Sequence, residues 1–215
     1  MFSRIQAKVA SPVANGGGGD TSHMSSDGYY SFNLGTWHII ALNSNCPPDV
    51  PNTNGAGVSG GCGAGSPEEV WLKHDLAATT QKCILAYWHH PRWNSGSLGN
   101  DPTTAAFWND LYSAHATLVL NGHANHHYER FAPQDPTGTA VSNGIREFIV
   151  ATGGDSHGTP PTTPGDRSTS EITNYDTFGI LQLTLHPSGY DWRFIPATSD
   201  GQAGRFTDSG SGTCN

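Results

Sequence analysis

The chain has 215 residues, a formal net charge of −8 and 13% charged side chains, with 27 glycines and 14 prolines. That length supports one domain with a sizeable core, and the acidic balance with only ten Lys and Arg excludes a phosphate backbone of nucleic acid as the natural partner. Gly and Pro run well above their usual combined share of about 12%, which favours short strands and long loops over a helix bundle.

In chain order, residues 1–28 are rich in Gly, Ser and Asn, including Gly16-Gly17-Gly18-Gly19, and read as a flexible arm preceding a single domain over 29–215. Met1 to Lys8 lacks the apolar run of an export signal, and no segment reaches the ~20 apolar residues needed to span a bilayer. Tyr29–Phe32 and Trp37–Asn43 read as a hairpin whose second strand, almost continuously apolar, is central.

Cys46 and Cys62 flank a loop of Pro, Gly, Asn and Ser that packing alone would hold poorly. A bridge closing it contributes about 3 kcal/mol. Pairing Cys46 with Cys62 leaves Cys83 for Cys214, one of three connectivities that four cysteines allow, and such bridges point to an exported, oxidising setting.

Ser66-Pro67-Glu68-Glu69 is a helix start, with Ser66 as N-cap and Glu69 closing a capping box. It predicts a helix to about Thr79 that buries Val70, Trp71, Leu72 and Leu76. Cys83–Trp88 is a strand that ends in His89-His90-Pro91-Arg92. Asp101-Pro102 opens a second helix to about Ser113, and the strand Thr117–Leu120 runs into Asn121-Gly122 and three further histidines, His123, His126 and His127.

Two histidine clusters, each just past a strand, place imidazoles at the sheet edge where open α/β sheets bind ligands. Histidines met singly, such as His38, His74, His115 and His186, read as surface or satisfied core residues. Clustered ones read as metal or phosphate ligands. Ile145–Thr152 is a further strand, ending at Gly153-Gly154-Asp155-Ser156-His157. The Pro- and Thr-rich 158–169 segment is a long loop, and Phe178–Leu185 with Tyr190–Ile195 forms a hairpin that closes the sheet.

Gly122-His123-Ala124-Asn125-His126-His127-Tyr128-Glu129-Arg130-Phe131 resembles the Gly-His-x-His-x-Tyr-Glu-Arg signature of calcineurin-like metallophosphoesterases, above all their purple acid phosphatase-like branch. Ala86-Tyr87-Trp88-His89 resembles the ligand block that precedes it. The resemblance extends through Gly28–Phe32, Leu34–His38, Ala41–Ser44 and Ile149–His157, nearly the whole chain. It implies an α/β fold, part of a metallophosphoesterase-type β-sandwich flanked by helices and corresponding to the C-terminal half. The family's first three ligand blocks, which supply Asp, Tyr and Asn, have no counterpart.

The signature here holds two residues between its histidines where the family has one. Counted from Tyr128, His126 takes the second ligand position, with His127 as its substitute. Counted from Gly122, that position falls on Asn125. The resemblance implies His89, His123 and His126 as neutral ligands of a divalent metal, zinc being the best match for an all-imidazole set, with manganese, iron or magnesium as alternatives. Asp155 is the first choice for a carboxylate ligand. His90 and Arg92 are the catalytic and phosphate-binding candidates, with His157 beside them, while Glu129 and Arg130 read as supporting residues.

The expected activity is phosphate-monoester hydrolysis at neutral to alkaline pH on a small substrate. The alternative is an inactive metal- or phosphate-binding remnant completed by a partner chain. A second copy covering an exposed sheet edge is the expected self-association.

Overall fold

A computed structural model describes residues 27–46, 57–123, 126–154, 156–161, 168–197 and 206–215. All but two residues of the N-terminal arm, most of the loop between Cys46 and Cys62, and Asp155 lie outside these.

The strands are β1 (Tyr30–Leu34), β2 (Trp37–Ala41), β3 (Cys83–Tyr87), β4 (Leu118–Asn121), β5 (Tyr128–Phe131), β6 (Arg146–Val150), β7 (Ser170–Asn174), β8 (Gly179–His186), β9 (Gly189–Pro196) and β10 (Ser209–Thr213). The helices are α1 (Pro67–Ala78) and α2 (Ala105–Ser113), the latter entered through a 3₁₀ turn at Pro102–Thr104. Seven strands form a mixed sheet in the order β1-β2-β3-β4-β6-β5-β7, and β10-β9-β8 form a second sheet. Strands β2, β3, β4 and β6 run parallel, and β1, β5 and β7 pair antiparallel.

The strand period of two explains the layering. Ile40, Ile84, Ala86, Val119 and Ile149 face one side of the large sheet, where Leu72 of α1 and Phe107, Trp108 and Leu111 of α2 cover them. Ile39, Leu85, Leu118 and Phe148 face the other, where Tyr190, Trp192 and Phe194 of the small sheet pack. Helices, sheet and sheet therefore stack in three layers, a mixed α/β architecture.

Two expectations need correction, the β8–β9 hairpin and the inward face of helix α1. The hairpin β8–β9 does not close the large sheet. It pairs with β10 to build a sheet of its own, because Tyr190, Trp192 and Phe194 need an apolar partner and find it on the large sheet's second face. The signature residues Tyr128–Phe131 form a buried strand flanked by β6 and β7, and the long loop ends in β7.

Helix α1 begins as expected, with Ser66 Oγ accepting from Glu69 N at 3.2 Å. Leu72 is buried as expected and Trp71 and Leu76 pack partly buried against the core, but Glu68, Glu69 and Asp75 also turn inward and Val70 is 43% exposed. The buried carboxylates meet donors there. Asn43 N donates to Glu68 at 2.6 Å, Gly65 N to Glu69 at 3.1 Å, and Ser31 Oγ and His38 Nε2 meet Asp75 at 2.6 and 2.7 Å.

Disulfides join Cys46 to Cys62 and Cys83 to Cys214. Bridges of this kind form and persist in oxidising compartments. Among the described residues no helix is long and apolar enough to cross a membrane.

Candidate metal centre

Parallel strands β2, β3, β4 and β6 all end at one edge, and each delivers a loop there. The ends of β3 and β4 are clipped together: Trp88 N donates to Leu120 O at 3.2 Å, Gly122 N to His89 O at 3.1 Å, and Asn121 Nδ2 to Trp88 O at 3.2 Å. Trp88 is buried, and its Nε1 donates to His90 O at 2.7 Å, which turns the chain so that both His89 and His90 stand at the edge. His123 follows Gly122 with φ +58°, in the left-handed region that histidine enters more readily than most residues.

The result is a trio. One ligand-capable atom from each of His89, His90 and His123 lies within 4.8 Å of the others. His89 Nε2 is 3.0 Å from His123 Nδ1, and the rings of His90 and His123 have centroids 4.4 Å apart.

Two nitrogens at about 2.05 Å from a tetrahedral ion sit about 3.3 Å apart, so the His89–His123 pair already has the spacing of adjacent ligands. His90 closes the set with a modest ring movement. Ser44, just beyond β2, contacts His90 Nδ1 through Oγ at 2.9 Å and accepts from His90 N at 2.9 Å. That is the supporting contact that fixes which imidazole nitrogen faces an ion. The residues present fit a divalent cation.

The protonation chemistry agrees. Burial among neighbouring groups, then the adjacent His90 and His123, hold His89 down at about 4. Burial also lowers His90, more than Asp101 and the Ser44 contact raise it. Burial, His90 and His126 lower His123. Neutral imidazole is the ligating form.

Beside the trio opens a cleft of about 270 Å³ lined by His90, Pro91, Asn94, Leu98, Gly99, Asn100, Asp101 and His123.

The other candidates lie elsewhere. His126, at φ +51°, directs Nδ1 to Ser156 Oγ and is outside the trio. His127 is fully buried, its Nε2 3.1 Å from Glu129 Oε2 and its ring stacked on Tyr175 at 4.5 Å, a core position outside the trio. His157 stacks on Phe178 at 3.8 Å. Arg92 lies over the Trp93 ring at 3.8 Å and is not part of the cleft lining. Asp155 falls outside the described residues.

Glu129 is buried and accepts from Ser95 and Ser170. Burial raises its pKa, but contacts from His127, Ser170 and Ser95 outweigh that and hold it low. Arg130 and Tyr128 both donate to Asp208, at 2.8 and 2.6 Å, so these two signature residues hold the sheets together. Ser44, Asn94 and Asp101 were not read from sequence as site residues, Asp101 entering only as a helix start and Ser44 only within the Ala41–Ser44 resemblance. Ser44 carried one signal, its place just past an apolar strand.

No family model and no curated protein sequence matches the chain. Solved structures do share its fold. The purple acid phosphatase PPD1 from yellow lupin (Lupinus luteus) seeds superposes at TM-score 0.68 and 17% identity over 86% of this chain. GAP50, the anchor in the inner membrane complex of Plasmodium, superposes at 0.58 and 14% over 87%. PhoD superposes at 0.53 and 16% over 86%. The chain spans 32%, 53% and 40% of those chains respectively. The fold is phosphoesterase-like, with a histidine cluster able to hold a metal at the sheet edge.

Proposed function

We propose that the chain hydrolyses phosphate monoesters with a divalent cation, zinc as first choice, held by His89, His90 and His123. The observation that carries this reading is the convergence of three neutral imidazoles on the carboxyl edge of a phosphoesterase-like sheet. A cation there supplies Lewis acidity to a phosphoryl oxygen and to the attacking water.

The chain's own residues do the rest. His89 and His123 supply the close ligand pair, and Ser44 steadies His90. The cleft beside them orients the ester. Water oxygen joins phosphorus, the bond from phosphorus to the alcohol oxygen breaks, and the water's two hydrogens end on the alcohol and the phosphate. Neutral to alkaline pH favours the attack. The two disulfides support an exported protein, secreted or periplasmic.

The test is hydrolysis of p-nitrophenyl phosphate by EDTA-stripped protein with Zn, Mn, Mg or Co returned, beside a His89→Ala His123→Ala control. Cation-dependent turnover lost in the control is the expected result. A second reading, a cation-binding module without turnover, is favoured by one observation: among the described residues no carboxylate joins the trio. Stoichiometric cation binding with no turnover would establish it.

A further inference from the structure

The cleft beside the trio is a built wall rather than a chance hollow. Ser95 donates through its backbone N–H (3.2 Å) and its hydroxyl to the buried Glu129, and Trp93 N donates to the buried Glu147 at 3.4 Å. Asn94 sits between these two anchors, so its backbone is fixed on both sides by carboxylates of the central sheet. Asp101 N returns to Arg92 O at 3.2 Å and closes the loop.

Asn94 itself is only 2% exposed. Its N–H donates to Asn100 Oδ1 at 3.1 Å, and its Oδ1 accepts from Gly96 N at 2.8 Å. Because Gly96 N is a donor, the assignment of the two amide atoms follows from it. The remaining group, Nδ2, is buried and makes no hydrogen bond. A buried N–H₂ left unpaired costs about 1–3 kcal/mol, and because Asn94 lines the cleft, an oxygen-bearing ligand there that the amide turns to meet would relieve it.

The same wall carries Asp101, whose Oδ1 caps the 3₁₀ turn by accepting from Thr103 N at 2.9 Å. A carboxylate here accepts a hydroxyl proton and repels an anion. The apolar contribution is small, from Pro91 and the exposed Leu98. At about 270 Å³ the cleft falls just below the roughly 300–1,000 Å³ of pockets that enclose drug-sized ligands.

Building on the hydrolytic reading above, we infer that this cleft is a leaving-group subsite for a small hydroxylated alcohol, in which Asn94 donates to a hydroxyl oxygen and Asp101 accepts its proton. The substrate class is a polyol or sugar monophosphate, and a second anionic group on the alcohol is rejected.

Glycerol 3-phosphate and 3-phosphoglycerate differ only by a hydroxymethyl group against a carboxylate. Their non-hydrolysable methylene phosphonate analogues, titrated by calorimetry into the zinc- or manganese-loaded chain, read the preference without turnover. The hydroxyl analogue binds at least about tenfold tighter, the size of one short-range charge repulsion near a protein surface. Asp101→Asn, which keeps a capping oxygen, closes that gap by tightening the carboxylate analogue. Asn94→Ala weakens the hydroxyl analogue about tenfold, with melting temperature measured beside it. Should Asn94→Ala fail to fold, Asp101→Asn still decides.

Equal affinities, no binding of either analogue, or a gap unchanged in Asp101→Asn each overturns the subsite. Turnover of p-nitrophenyl phosphate without discrimination overturns the subsite and leaves the hydrolytic reading standing. Discrimination without turnover overturns the hydrolytic reading, and with it the leaving-group role, and leaves the cleft as a binding site for a polyol phosphate.

Discussion

His89, His123 and His127 are three histidines of similar sequence setting with different fates, and burial separates them. His89 and His123 stand at the rim of the edge, where their nitrogens meet at 3.0 Å. His127 lies in the core against Glu129 and Tyr175. His127→Ala is therefore expected to leave cation affinity within about threefold, while removing one contact to a buried carboxylate at a cost of about 1–3 kcal/mol. Calorimetric cation titration beside a thermal melt separates the two effects.

The lowered pKa values give a second residue-scale prediction. A histidine held below its ordinary 6.5 keeps its neutral, ligating form as pH falls, His89 down to about 4. Three ordinary histidines would lose about fiftyfold in cation affinity between pH 7.5 and 6 through proton competition. With all three lowered, the expected loss is smaller than that, measured by cation titration at the two pH values.

At the scale of elements, helix α1 turns carboxylates inward beside the expected Leu72, Trp71 and Leu76. Glu68 is buried, receives one N–H from Asn43, and has Oε2 unpaired. Burial, partly offset by the Asn43 contact, raises its pKa to about 8. The folded state thus holds a proton that the unfolded chain releases above about 4.5. The associated stability is fully present below about pH 4.5 and declines as pH rises toward 8. Glu68→Gln removes this dependence. Between pH 5 and 9 the variant is expected to lose roughly 2–4 kcal/mol less stability than the parent, measured by chemical denaturation at both values.

The same helix shows what its sequence disclosed. Ser66, Pro67 and Glu69 state where it begins, because capping is local chemistry. Which face turns inward was decided by the donors waiting there: Asn43 N, Gly65 N, Ser31 and His38, all distant in sequence except Gly65.

For the molecule as a whole, two sheets and a helix layer are joined by few covalent or charged ties. Cys83–Cys214 ties β3 to the C-terminal segment across 131 residues, and Cys46–Cys62 closes a loop of 16. Chain entropy alone assigns the first about 5 kcal/mol and the second about 3. Cys83→Ala Cys214→Ala is expected to cost more stability than Cys46→Ala Cys62→Ala, read as the fall in denaturation midpoint. A smaller loss for the longer loop would show that local packing, not loop closure, sets the worth of these bridges.

The sequence by itself determined the strand–helix–strand order, the start of α1, both histidine clusters and the pairing that its loop composition suggested for Cys46 and Cys62. Each is encoded by neighbours: capping residues, alternating apolar positions, turns that halt a strand. Only the tertiary structure decided which histidines meet. Sequence spacing ranked His126 beside His89 and His123, whereas the register of β3 on β4 brings His90 to them and the turn at φ +51° sends His126 toward Ser156. Spacing along a chain does not specify distance across a sheet. That distance comes from parallel pairing of strands more than 30 residues apart, a long-range contact with no local signature.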